Sequence, residues 1–233
     1  MKFLEKMTHN ERAIMYHVGD FSKVTNELVA AVNWPKDTDM LLFDFKPFTP
    51  PGGYVRHNLK NDHVIRYTYG GKTSALKPLG KQLKNSPIVA RAPRNAAEAL
   101  AVTKATLGQD SSSKRKKSGP AYFKERERYY GMIRKGAVKS VLLFKNGRNV
   151  GIGSIVDIPR VDGSKSSTFT WSWVDKRLPR AEYEDARYKM TKWAKENAQP
   201  YMASANFDYN KESQKDDSRF GLKVYRISFS RKK

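Results

Sequence analysis

The chain has 233 residues, 39% of them apolar, enough to bury a core as one large domain or two small ones. It contains no cysteine, which excludes disulfides, thiolate catalysis and every zinc or iron–sulfur site built on sulfur ligands. Its 45 Lys and Arg against 23 Asp and Glu leave a net charge of +22, well above the roughly 2 to 8 charges a small domain needs for solubility, so a polyanionic partner is expected.

In chain order, the pattern predicts helices over residues 10–18 and 22–32 and a strand over 40–45. A hairpin of residues 54–59 and 63–69, turned by "KND", follows. A helix over 74–83, a short strand over 88–90 and a helix over 96–107 with Asn95 as its cap complete the first half. A helix over 121–135 opens the second half and ends at Gly136. Strands over 138–144 and 149–158 are joined by Asn146-Gly147, a hairpin signal because both turn positions tolerate positive φ. "STFTWSWV" alternates strictly, with Phe169, Trp171 and Trp173 on one face, which is either a stacking platform for unpaired bases or, as expected, a core face covered by a stripe on a helix over 181–197 that includes Trp193. Strands over 201–207 and 222–229 close the chain, separated by "NKESQKDDSR", which reads as a mobile charged loop. Both halves then read as helix, three strands, helix, strand, which hints at duplicated architecture.

These elements imply an α+β fold of two small domains, each a mainly antiparallel sheet with packed helices: residues 1–110 and a strongly basic 121–233, joined by a flexible basic Ser/Gly linker over 111–120. Residues 1–110 carry 16 basic and 10 acidic side chains (+6), and 111–233 carry 29 and 13 (+16). No apolar run approaches the roughly 18 to 20 residues that span a bilayer, and "MKFLEKMTHNER" lacks the apolar stretch of a secretory signal. An intracellular protein is expected, cytoplasmic or associated with nucleic acid, neither secreted nor membrane-bound.

Four consecutive cations, Lys114, Arg115, Lys116 and Lys117, form an arm suited to phosphate. The helix after them adds Lys124, Arg126, Arg128, Arg134 and Lys135, and the following hairpin tip adds Lys145 and Arg148. On the first hairpin, Tyr54, Arg56 and Arg66 mix cations with an aromatic ring, as single-strand binders do. "GGKTS" over 70–74 is not a phosphate loop, because Arg66 stands where the motif needs glycine. The glycines of "GIGSIV" lie in a strand pattern and mark a bulge or close packing. His57 and His63 flank the first hairpin turn beside Lys60 and Asp62, and two imidazoles near cations could run acid and base steps of RNA cleavage.

The element order from 121 to 229 resembles that of the N-acetyltransferase superfamily. The resemblance implies a scaffold that holds an acyl-CoA pyrophosphate on a Gly-rich turn between its fourth strand and the next helix. The corresponding stretch here, "VDKRLPRAEYED" over 174–185, has no glycine, which implies a scaffold reused for binding. The function expected from the sequence is therefore non-enzymatic binding of single-stranded nucleic acid, RNA rather than duplex DNA, with no cofactor or metal and with self-association into condensates on RNA. The alternative is an enzyme, acyltransferase-like or a nuclease, that acts on a polyanion.

Overall fold

The computed structural model describes residues 5–9, 12–18, 40–44, 63–107, 120–159, 165–207 and 211–231. Among them are ten strands: β1 (Glu5–His9), β2 (Arg12–Val18), β3 (Met40–Asp44), β4 (His63–Lys72), β5 (Ile88–Arg91), β6 (Val138–Lys145), β7 (Arg148–Pro159), β8 (Lys165–Val174), β9 (Tyr201–Phe207) and β10 (Lys223–Arg231). Four helices accompany them: α1 (Ala96–Leu107), α2 (Pro120–Arg134), α3 (Arg180–Asn197) and α4 (Lys211–Phe220). The mixed α and β composition agrees with the sequence.

The chain divides into two compact units, one of Met1–Ala75, Ile158–Ser166 and Pro200–Lys233, the other of Leu76–Asp157 and Ser167–Gln199. Each unit is discontinuous in sequence. The elements on either side of residues 111–120, α1 and α2, belong to the same unit.

In the first unit the strands follow the order β1-β2-β3-β10-β4-β9. All pairs are antiparallel except β2 with β3. Residues 12–18, expected as helix, form a strand instead: Ile14, Tyr16 and Val18 recur with period two and favour an extended backbone. The hairpin partner is β1, with Glu5 opposite Tyr16, so the first half does not open with the helix that a duplicated architecture requires. The expected helix over 22–32 and strand over 54–59 lie outside the described residues. The charged stretch expected as a mobile loop is α4, seated through Asp217 and Phe220.

In the second unit the order is β8-β7-β6-β5. Asn146 and Gly147, with φ of 50° and 77°, turn β6 into β7. Residues 140–143 are buried on both sides of β6, so both faces of this sheet are covered. One face packs Ile88, Val141, Leu143, Val150 and Val174 against Ala186 and Met190 of α3, with Trp193 at the margin. The other carries Val138 and Trp171 against Ala99, Tyr130 and Ile133 of α1 and α2. Trp171 is thus covered by α1 and α2, not by the Trp193 stripe, and its Nε1 donates to Thr106 Oγ1 at 3.0 Å. The half-buried ring packs against the core and its N–H is spent within the fold. Gly153 admits α3 closely, since a Cβ there would meet Met190 Cγ at 2.5 Å, and the register shifts at Leu143/Phe144. Close packing and an irregularity thus both occur in this glycine-bearing stretch.

The helix expected over 74–83 does not form: Thr73–Ala75 make one 3-10 turn, and residues 76–87 run as an irregular strap along α3. Pro78 and Gly80 disfavour a helix, and the strap's polar groups are met by α3 instead. Lys195 Nζ donates to the Leu76 carbonyl, the Leu79 N–H to Thr191 Oγ1 and the Leu83 N–H to Asp185 Oδ1, at 2.7 to 2.8 Å. Asn95 caps α1 as expected, its Oδ1 accepting the Glu98 N–H at 2.9 Å.

Candidate functional site

The turn that leads from β8 into α3 is fixed at several points. The Asp175 N–H donates to the Val150 carbonyl of neighbouring β7 at 2.9 Å, and the Leu178 N–H returns to the Asp175 carbonyl at 3.2 Å. The Asp175 carboxylate accepts the Arg177 N–H at 3.0 Å, an Asx turn that locks the backbone. Leu178 packs onto the apolar cluster under α3, and Pro179 stands at the N-cap, its carbonyl accepting the first helical bond from Tyr183. No side chain caps this end of α3, so its first-turn N–H groups and the positive end of the helix dipole stay available.

Beside this turn lies a cavity of about 450 Å³ lined by Lys145, Asn146, Arg148, Val150, Asp175, Arg177, Leu178 and Pro179. That is within the usual range for ligand sites, roughly 300 to 1,000 Å³. Lys145 pairs with Glu182 at 2.6 Å. Arg148 and Arg177 both bind the Asp175 carboxylate. The Arg177 bonds, chiefly, together with the Arg148 charge, hold that carboxyl at about 2 although burial opposes them. Three cations thus face two carboxylates. Arg177 gives only Nε, one terminal nitrogen and its backbone N–H to Asp175, so three of its five guanidinium donors remain for an anion. The site offers an anion charged, forked donors on one side and an uncapped helix start on the other.

Of the residues singled out from the sequence, the structure brings Lys145 and Arg148 together at this cavity. Arg126, Arg128 and Arg134 lie on α2, with Lys135 just past its end; Arg134 pairs with Glu127 at 3.7 Å. Lys124 is also on α2, and Arg66 on β4 stands opposite Phe207. Lys114, Arg115, Lys116, Lys117, Tyr54, Arg56 and His57 lie outside the described residues, and His63 opens β4 opposite Arg231. Asp175, Arg177 and Glu182 were missed as site residues. The signal for them was two cations beside a proline just before a strongly patterned helix.

No family model matches the chain, and no curated protein matches it. Among solved structures, it is similar to a conserved Staphylococcus epidermidis protein of unknown function, at 13% identity over 94% of this chain and 83% of that one, with a TM-score of 0.51. A conserved Bacteroides thetaiotaomicron protein of unknown function gives 12% over 98% and 82%, with a TM-score of 0.50. A GCN5-related N-acetyltransferase from Kribbella flavida gives 12% over 98% and 86%, with a TM-score of 0.47. At such identities the likeness is one of fold. The expectation of a non-enzymatic, RNA-binding protein is corrected here: the similar structures include proteins named as N-acetyltransferases, and the acyltransferase-like alternative is the reading carried forward.

Proposed function

We propose that the protein is an acyltransferase-like enzyme that uses acyl-CoA and receives the cofactor's pyrophosphate in the cavity before α3. The observation that carries this reading is the convergence of Lys145, Arg148 and Arg177 on a cavity at the uncapped start of that helix, within the element order α2, β6, β7, β8, α3, β9, α4, β10. The donor set fits a diphosphate through side chains. Where the acetyltransferase pattern has glycines and a cradle of backbone N–H groups, this turn has Lys176, Arg177 and Leu178, and guanidinium forks take over that role.

The bound cofactor supplies the activated acyl group as a thioester. The chain's residues fix its anionic end: Asp175 holds Arg148 and Arg177 in place, and Glu182 holds Lys145. Val150 and Leu178 supply the apolar part of the lining.

The test is a calorimetric titration with CoA and acetyl-CoA, and with pantetheine, which lacks the pyrophosphate. CoA binding with little or no pantetheine binding, and thiol release from acetyl-CoA in the presence of an amine acceptor, are expected. Failure of CoA to bind at millimolar concentration, or equal binding of pantetheine, would overturn the proposal.

A further inference from the structure

Helix α4 is ten residues long, and only Asp217 and Phe220 of its side chains are buried. A helix this short does not hold itself together in water, so its seat on the sheet of the first unit depends on those two anchors. Phe220, 1% exposed, makes an ordinary apolar contribution. Asp217 is different. It is 8% exposed, and its carboxyl meets Asn206 Nδ2 at 2.5 Å and the Ser204 hydroxyl. Both partners lie on one face of β9, two residues apart, and neither carries a charge. A carboxylate here would be desolvated with no cation to offset the loss.

Among the described residues, the surroundings do not supply one. On α4 itself, Lys211, Lys215 and Arg219 are exposed, as is Glu212, and half-buried Asp216 adds a second negative charge beside Asp217. The face of β9 beneath contributes Ser204 and Asn206, and the strand's one titratable side chain, Tyr201, lies three residues before Ser204. On β4, Tyr69 turns its hydroxyl to Gln214 of α4 at 3.4 Å, and Lys72 at the strand's end is exposed. Lys223, at the start of β10, is also exposed.

We infer that α4 is a pH-operated latch, seated firmly on β9 while Asp217 is protonated and loosened as that carboxyl ionises. Burial, reinforced by the Asp216 charge, raises the Asp217 carboxyl to about 7, against the pull of its Ser204 and Asn206 bonds. The seated helix therefore binds the proton more tightly than the released one, whose carboxyl titrates near the ordinary value of about 4. Seating weakens as pH rises from about 4 to about 7 and is level above that.

Hydrogen–deuterium exchange of the intact chain, read on peptides covering 211–222 and corrected for the intrinsic rate, tests this from pH 5 to 8.5. Protection of α4 is expected to fall on the order of tenfold per pH unit up to about 7 and then level, while β6 and β7 change little. Asp217→Asn, neutral at every pH, should keep α4 protected without that slope. Flat wild-type protection relative to β6 and β7 would overturn the latch, as would an equal slope in Asp217→Asn. If that variant does not fold, the wild-type slope against β6 and β7 decides alone.

Discussion

Arg177 folds back onto Asp175, two residues earlier, giving Nε and a terminal nitrogen to its two carboxylate oxygens at 2.9 Å each, and Asp175 is only 3% exposed. One buried carboxylate therefore sets both the backbone turn before α3 and the place of two cavity cations. Asp175→Ala is expected to lower stability by about 1 to 2 kcal/mol and to weaken CoA binding more than that loss alone would, because Arg148 and Arg177 lose their common anchor. Thermal unfolding and calorimetric titration of the same variant separate the two effects.

Arg148 and Arg177 are themselves largely exposed, at 61% and 70% of their side-chain surface, so replacing them removes little packing. The double variant Arg148→Gln, Arg177→Gln is expected to melt within a few degrees of the wild type and to bind CoA roughly tenfold or more weakly, with pantetheine binding unchanged. A double variant that binds CoA as the wild type does would move the pyrophosphate site elsewhere.

Gly153 of β7 lies under Met190 of α3, and a Cβ there would sit 2.5 Å from Met190 Cγ and 3.4 Å from Val141 Cγ1. Gly153→Ala is expected to cost about 1 to 3 kcal/mol through overpacking. Met190→Ala should cost about 2 to 5 kcal/mol alone. The two changes meet at one contact, so the double variant should be more stable than the sum of the single losses implies. Chemical denaturation of all four proteins measures that coupling.

What was legible in the sequence was local. Asn146-Gly147 announced its turn because only residues tolerant of positive φ fit there, and Asn95 announced α1 because its side chain meets an N–H three residues on. The strap over 76–87 was not legible, since its hydrogen-bond partners Asp185, Thr191 and Lys195 lie about a hundred residues away. The seat of α4 was hidden for the same reason: its ten residues are almost all polar, and what makes it a helix is the anchoring of Asp217 and Phe220. For the site, charge directed attention to Lys145 and Arg148, but the acidic residues that arrange them, Asp175 and Glu182, are invisible to a count of net charge. The same charge suggested RNA.

Asp185 binds the strap to α3 and gives the second unit a pH response opposite in sign to that of α4. Its carboxylate is fully buried and accepts the Leu83 N–H at 2.8 Å, the Ser86 hydroxyl, and Lys189 Nζ at 3.1 Å. Burial alone would raise this carboxyl, but the bonds from Ser86, Leu83 and Lys189 outweigh it and hold the group below its ordinary value. A carboxyl lowered on folding contributes stability above its unfolded pKa, near 4, and that contribution is lost as pH falls through the lower folded value. Protection of residues 76–87 against hydrogen exchange should therefore decline from about pH 4 downward, where protonated Asp217 keeps α4 seated. Asp185→Asn should be less stable than the wild type at pH 7 by about 1 to 3 kcal/mol, with Lys189 left without its anion. The gap between the two proteins should narrow as pH falls below 4, because the wild type then loses the charge that the variant never had. A gap that stays constant from pH 7 to 2.5 would show that the strap is held by its shape and not by the Asp185 charge.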